Sequence, residues 1–289
     1  MSVPVFEQVI TDESETFLWR CDDYPWIRNV WNVHPEYEIH LIRNAEGVAL
    51  IGDYIGHFEP GYLTVVGGGL PHDWVTATGP GEVIDKRDIV LQFDPQRIRR
   101  AAASIPEFAR LEPFMTRALR GLSFLGETRE AAAGLLEQMG AAAGLERVSL
   151  FLRLLHVLAT SSEFEILSSE SFAPDLDPPT LDKIQRALIY VLENFHKDIK
   201  LSEIAGLSGM RQSRFSRFFK KNSGNSFIGH VTKLRIGRAC KLLSDTDIPV
   251  TDICFQVGYF NISNFNRVFR AQRGMTPSAY RRLARRRMG

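Results

Sequence analysis

The sequence predicts an α+β protein of more than one domain: an N-terminal antiparallel β-barrel with a helical segment behind it, then an all-α half. Three observations predict this. Up to about residue 95, short apolar runs rich in Val, Ile, Tyr and Trp are separated by turn residues. After Asp94-Pro95 the texture changes to Ala, Leu, Glu and Arg, with apolar residues three and four apart. From Pro179 onward, short helical stretches follow one another with single glycines between them.

In chain order, Glu38–Ile42, Val48–Ile51, Leu63–Val66 and Ile89–Phe93 are expected as strands. Glu59-Pro60-Gly61, Gly67-Gly68-Gly69 and Thr78-Gly79-Pro80-Gly81 are expected as the turns or loops between them. Strands this short and this closely spaced suit an antiparallel barrel or sandwich. Glu127–Met139 and Glu146–Ala159 are helix candidates. The apolar stripe of the second (Val148, Phe151, Leu152, Leu155, Leu158) needs cover, from the barrel or from a second subunit. The domain boundaries read as 1–95 for the barrel, 96–160 for a helical packing or dimerisation segment, 161–179 for a polar, Pro-ended linker, and 180–289 for the helical half. In that half, helices are expected over Thr180–Phe195, Ser202–Leu207, Gln212–Asn222, Ser226–Ser244, Val250–Val257, Ile262–Arg273 and Ser278–Arg287.

Composition narrows the function classes. At 289 residues, two domains can each bury a core. No apolar run approaches the ~20 residues of a membrane-spanning helix, and Met1-Ser2-Val3-Pro4-Val5-Phe6-Glu7 does not read as a secretion signal. Cys21, Cys240 and Cys254 are scattered, and read as free thiols of a cytoplasmic protein. The net charge of +1 hides a split: 21 Lys+Arg against 7 Asp+Glu from Pro179 on, and 14 against 27 before it. The basic half suits a polyanionic partner, and the acidic half would repel one.

Two stretches of the basic half repeat each other. Leu201–Lys221 and Val250–Ala271 both run apolar, Ser or Thr, acid, Ile, small residue, then a turn Gly, and close on Phe-x-Arg-x-Phe-Lys/Arg. Phe215, Arg217, Phe219 and Lys220 correspond to Phe265, Arg267, Phe269 and Arg270. Ser202 and Thr251 are expected to cap the first helix of each pair, and Ala205 and Cys254 let the second helix cross closely. The phenylalanines hold the second helix on its partner. Its other face presents Ser213, Arg214 and Arg217 in one unit, and Ile262, Ser263, Asn264, Asn266 and Arg267 in the other. Such a helix fits a DNA major groove. The intervening helix, ~28 Å long, can set two of them about one DNA turn apart. Lys220, Lys221, Lys233, Arg235, Arg238, Arg270 and the run Arg281 to Arg287 are placed to meet phosphates.

On these residues the basic half resembles the AraC/XylS family: Arg235-Ile-Gly-Arg-Ala-Cys-Lys-Leu-Leu, Ile248-Pro-Val-Thr-Asp-Ile-Cys-Phe-Gln-Val-Gly-Tyr, Phe265-Asn-Arg-Val-Phe-Arg and Gly274-Met-Thr-Pro-Ser-Ala-Tyr. The resemblance implies sequence-specific binding of double-stranded DNA through Ser213, Arg214, Arg217, Lys220, Ser263, Asn264, Asn266, Arg267 and Arg270. It further implies transcriptional activation, a homodimer and contact with RNA polymerase. Ile262 stands where a polar contact residue is common, so it packs either on a thymine methyl or on the protein.

The N-terminal half is similar to cupin-type barrels, which serve many members of that family as effector domains. It carries Asn32-Val-His34-Pro-Glu36-Tyr-Glu38-Ile-His40 and Leu70-Pro71-His72-Asp73-Trp74. Metal-binding cupins place ligands at the positions of Asn32, His34, Glu38 and His72. Asn at the first position weakens a metal reading, though two His and a carboxylate alone can hold a divalent ion. The preferred reading needs no cofactor: His34, Glu36, Glu38, His40, His72 and Trp74 bind the hydroxyls of a small, sugar-like effector. An aromatic wall from Trp26, Trp31, Tyr37 and Trp74 would suit it. The third reading is a set of satisfied interior polar groups. The rival functions are a metal-dependent cupin enzyme or metal sensor fused to a DNA reader, and an architectural DNA-binding protein.

Overall fold

The computed structural model describes residues 15–25, 31–79 and 81–288, with side chains as far as Ala284. Trp26, Pro80, the first seven residues and the side chains of Arg285, Arg286 and Arg287 lie outside the described residues. Contacts divide the chain into two units, Met1–Tyr54 with Phe58–Phe172, and Ala173–Gly289 with Ile55–His57.

The first unit holds strands β1 (Leu18–Tyr24), β2 (Tyr37–Ile42), β3 (Gly47–Ile51), β4 (Tyr54–Phe58), β5 (Leu63–Val66), β6 (His72–Val75), β7 (Ile84–Phe93), β8 (Leu122–Phe124) and β9 (Phe164–Ile166). No closed barrel forms among the described residues. The strands make a six-stranded sheet in the order β1-β7-β2-β5-β8-β9 and a three-stranded sheet β4-β3-β6. β8 comes from the segment read as purely helical and β9 from the segment read as linker. Three-residue strands carry too little alternation to be seen in sequence.

Period-two alternation gives the large sheet two different faces. Tyr37, Ile39, Leu41, Leu63, Val65, Ile89, Leu91 and Phe93 share one apolar core with helices α1 (Pro95–Ala101), α2 (Glu112–Ala118), α3 (Gly126–Met139) and α4 (Gly144–Thr160). The stripe of α4 is covered inside the chain: Phe151, Leu154, Leu155 and Leu158 are buried there, and Leu152 remains exposed. The opposite face turns Glu38, His40, Thr64 and Gln92 inward, set in register by the pairs Glu38–Gln92 and His40–Thr64. A second apolar cluster joins the two sheets through Ile42, Val66, Ala49, Ile51, Phe58 and Trp74.

The second unit is seven helices: α5 (Pro178–Asn194), α6 (Leu201–Leu207), α7 (Gln212–Ser223), α8 (Phe227–Asp245), α9 (Val250–Gln256), α10 (Ile262–Arg273) and α11 (Pro277–Met288). Asp177 caps α5 through the Thr180 N–H at 3.0 Å and Ser226 caps α8 through the Gly229 N–H at 3.1 Å. Gly224 and Gly274 end α7 and α10 in the left-handed conformation, with φ of 69° and 72°.

Candidate nucleic-acid interface and a buried polar cluster

The two helix-turn-helix units, α6–α7 and α9–α10, use one turn hydrogen-bond pattern. Ser208 N–H donates to Ile204 O, and Met210 N–H to Ala205 O at 2.9 Å. Val257 N–H donates to Ile253 O, and Tyr259 N–H to Cys254 O at 3.0 Å. Gly209 and Gly258 sit in these turns with φ of 64° and 91°. Neither Ser202 nor Thr251 is a cap: α6 begins at Leu201 and α9 at Val250, so each of the two lies inside its helix, and Lys200 and Pro249 hold the cap positions. In α6 the Glu203 carboxylate reaches back to the Lys200 N–H at 3.3 Å, and Thr251 only approaches Asp252.

Phe215, Phe219, Phe265 and Phe269 are fully buried, while Phe218 is half-buried. On α7 the outward face holds Ser213, Arg214, Arg217 and Lys220, all exposed; on α10 it holds Ser263, Asn264, Asn266, Arg267 and Arg270, also exposed. Asn261 caps α10 by accepting from Ser263 N–H at 2.8 Å and Asn264 N–H at 3.0 Å, and Arg267 donates to Asn264 Oδ1 at 2.9 Å. Ile262 packs against the core of the second unit, which settles its orientation. Phe260, 74% exposed, is the additional residue of the longer second turn and escaped the sequence reading. Its signal was the one-residue offset between the two repeats.

Several cations expected at phosphates are engaged inside the protein. Arg235 donates to Phe195 O at 2.7 Å and Lys197 O at 2.8 Å. Arg281 donates to Leu243 O and, at 2.6 Å, to Ile248 O. Lys221 pairs with Asp175 at 2.5 Å. Carbonyls left over at helix ends and turns are strong acceptors for a guanidinium, and sequence alone does not tell this use from a phosphate contact. Arg238 remains exposed.

In the first unit the structure gathers His34, Glu36, Glu38, His40, His72 and Trp74 into one contiguous cluster. Glu38 Oε1 accepts from His40 Nδ1 at 2.7 Å, and Oε2 lies 3.2 Å from His34 Nε2 and 3.8 Å from His72 Nε2. Gln92 donates to the same oxygen at 2.7 Å. His40 reaches Asp88 at 3.1 Å, which in turn pairs with buried Arg87 at 2.9 Å, and stacks on Trp74 at 3.9 Å. Glu36 touches the cluster through its carbonyl oxygen, 3.1 Å from His34 Nδ1. Burial pushes the Glu38 carboxyl up, but the bonds from His34 and His40 and the nearby His72 outweigh it and hold the group well below the usual carboxylate range. Asp73, buried beside the cluster, is pushed up by burial to about 7 against the pull of Arg87. Tyr37 does not join the proposed aromatic wall. It lies on the other face of β2, in the helix-covered core, and donates to Met115 O at 3.1 Å. Asn32 pairs with His72 through the backbone alone, N–H to O at 2.9 Å in each direction.

The donor set fits a small cation. His72 Nδ1 stands 2.7 Å from Leu70 O and His34 Nδ1 3.1 Å from Glu36 O. A carbonyl can only accept, so both Nδ1 atoms carry a proton; when either ring is neutral, its Nε2, facing Glu38, is then the nitrogen open to a cation. The three ligand atoms lie within 4.8 Å of one another, and His72 Nε2 has no hydrogen-bond partner among the described residues. Tetrahedral bonds of about 2.0–2.1 Å to zinc place ligand atoms roughly 3.3 Å apart, close to the 3.2 and 3.8 Å found.

Comparison with known proteins bears on the second unit. Residues 204–283 match the family model of a helix-turn-helix domain. Over 100 residues the chain is 33% identical to an uncharacterised HTH-type transcriptional regulator of Staphylococcus aureus (strain COL), covering 35% of this chain and 13% of that protein. Over 96 residues it is 32% identical to the MmsAB operon regulatory protein of Pseudomonas aeruginosa, covering 33% of this chain and 31% of that one. Among solved structures, the C-terminal domain of AraT, a response regulator from Geobacillus stearothermophilus, aligns at 30% identity over 39% of this chain and 88% of that one, with a TM-score of 0.34. The second unit is therefore a helix-turn-helix domain. It is of the AraC type, the family whose signature the repeats resemble. The chain thus spans less than a third of the length of both curated relatives. No helix among the described residues is long and apolar enough to cross a membrane.

Proposed function

We propose that the protein is a sequence-specific, double-stranded-DNA-binding regulator of transcription whose N-terminal unit senses a small ligand. The carrying observation is the repeated unit itself: two helices, α7 and α10, each held by buried phenylalanines and each presenting an exposed polar and cationic face, within a region that matches a helix-turn-helix family model. Ser213, Arg214 and Arg217, then Ser263, Asn264, Asn266 and Arg267, read base edges; Lys220, Arg270 and Arg238 contribute salt-dependent phosphate affinity. Activation, dimerisation and contact with RNA polymerase belong to the same proposal through the family resemblance. Selecting bound duplexes from a random DNA pool at near-physiological salt tests it. Two short boxes about one helical turn apart are expected. Binding without any preferred sequence, with and without candidate ligands, would replace it by the architectural reading.

For the sensed ligand, one observation favours a divalent ion over a sugar-like molecule. His34, Glu38 and His72 are all buried, and the His34 and His72 Nε2 atoms lie only 3.2 and 3.8 Å from one Glu38 oxygen, a spacing that suits a single small ion better than a ring of hydroxyls. Titrating the metal-stripped protein with zinc while following its melting temperature separates the two. A stoichiometric rise that is absent in His34→Ala/His72→Ala supports the ion; a rise with sugars and none with zinc supports the other.

A further inference from the structure

Arg235, in the middle of α8, joins the segment that leads into the first helix-turn-helix unit to the turn of the second. Its guanidinium donates to Phe195 O at 2.7 Å and Lys197 O at 2.8 Å, on the segment that leads from α5 into the first unit. The same guanidinium lies 5.3 Å from the centroid of the Tyr259 ring, in the turn of the second unit. The neighbouring residue of that turn closes the junction. A Cβ on Gly258 would lie 2.7 Å from His196 O and 3.0 Å from Arg235 Nε. Three segments far apart in sequence therefore meet at one half-buried charge, with no room for a methyl group.

We propose that Arg235 is a positioning residue that sets the separation and phase of the two DNA-reading helices without touching DNA. The inference rests on the DNA-reading proposal. α8 alone fixes the distance between the units through its length, but a helix end leaves rotation about its axis to whatever packs beside it. The bonds from Arg235 to Phe195 and Lys197, with Tyr259 on the other side, remove that freedom. A half-buried guanidinium bonded to two carbonyls is a firm tether, since charge-assisted bonds are about twice as strong as neutral ones. One base pair of slippage turns the second box by about 34–36° and shifts it by about 3.4 Å, so a locked reader discriminates spacing sharply.

The test uses the full chain and the two-box duplex recovered by selection, with zero, one and two base pairs inserted between or removed from between the boxes. Wild-type protein is expected to show a sharp optimum. Arg235→Met should bind the optimum about tenfold more weakly while its affinity changes little across the other spacings, and its binding to a single-box duplex should stay within about twofold of wild type. An unchanged spacing profile overturns the proposal. So does equal loss on single-box and two-box duplexes, which would mark a purely structural role. If Arg235→Met does not purify folded, Arg235→Lys decides, because it keeps the charge but not the fork of donors. A flatter profile than wild type supports the tether, and an identical one overturns it. Failure of the DNA-reading proposal is distinct: wild-type protein would then show no preferred box at all.

Discussion

The two helix-turn-helix units share a backbone plan but hold it by different means. The second is secured locally: Asn261 caps α10 with two bonds, Ile262 seats its first turn on the core, and Gly258 fits under the His196 carbonyl. In the first, Arg211 stands at the cap position of α7 without a side-chain bond, and Gly209 has open space around it. The pairing extends beyond the motif. His230 on α8 meets Phe219 at 5.5 Å and 77°, and Tyr280 on α11 meets Phe269 at 5.7 Å and 78°. Tyr280 is half-buried, whereas His230 is buried with no hydrogen-bond partner at either ring nitrogen among the described residues. The shared plan is thus held by fewer local contacts in the first helix-turn-helix unit, which is expected to give way before the second.

The largest expected effect tests the turn glycines against each other. Gly258→Ala should cost about 3 kcal/mol or more, combining a left-handed backbone with overlap against a carbonyl, while Gly209→Ala should cost only about 1 kcal/mol. Denaturant melts of the full chain measure both, and equal losses would break the asymmetry. Next comes acid. Burial lowers the His230 imidazole to about 3, so the folded first unit stays neutral while the unfolded chain takes up a proton below the free value of 6.5. Stability is therefore lost as pH falls from 6.5 toward 3, by about 2 kcal/mol at pH 5. His230→Leu should remove that slope and raise stability at pH 7 by about 1–2 kcal/mol. A slope that survives the substitution would assign the acid sensitivity elsewhere.

On DNA, Arg217→Ala and Arg267→Ala should each weaken specific binding by about 1–3 kcal/mol and relax preference at one position. Arg267 is already oriented by Asn264, so Asn264→Ala should lower affinity partly through Arg267, a coupling that a double-mutant cycle reads. Additive losses would mean independent contacts. The smallest effects concern the caps. Asn261→Ala should destabilise by about 1 kcal/mol, and Arg211→Asn should stabilise the first unit by a similar amount. An Arg211→Asn protein no more stable than wild type would show that α7 is held from its other end.

Much of the second unit was legible because its signals are local: a helical period, single glycines, and a repeat that aligns phenylalanine with phenylalanine. The cap assignments failed by two residues, since Ser202 and Thr251 look like caps whether a helix starts before or after them. Arg235 and Arg281 were misread for a different reason. A guanidinium bonded to a carbonyl and one bonded to a phosphate are the same letter, and only distant chain segments decide between them. In the first unit the four strands with strong apolar patterns were visible, whereas β1, rich in polar residues, β4 and β6, and the three-residue β8 and β9 were not. The expected barrel is not closed among the described residues: the strands make two sheets, the larger with one face packed on helices. Of the cluster, the residues were legible and their burial was not. Alternation places Glu38 and His40 inward, and it should also have excluded Tyr37 from the same wall.

The strand order of the large sheet has a consequence for the birth of the protein. β1 pairs with β7, more than sixty residues on, and the far edge is completed only by β9, just before Ser168 and Ser169 bind Asp53 at 2.7–2.9 Å. The first unit therefore cannot finish until residue 169 has left the ribosome. Synthesis of the helical unit behind it then takes on the order of ten seconds. During that interval the slow, non-local sheet can settle with no complete DNA reader attached, whereas the helical unit, built from near neighbours in sequence, needs only a small fraction of that time. The order of the two units along the chain gives the slower folder the head start.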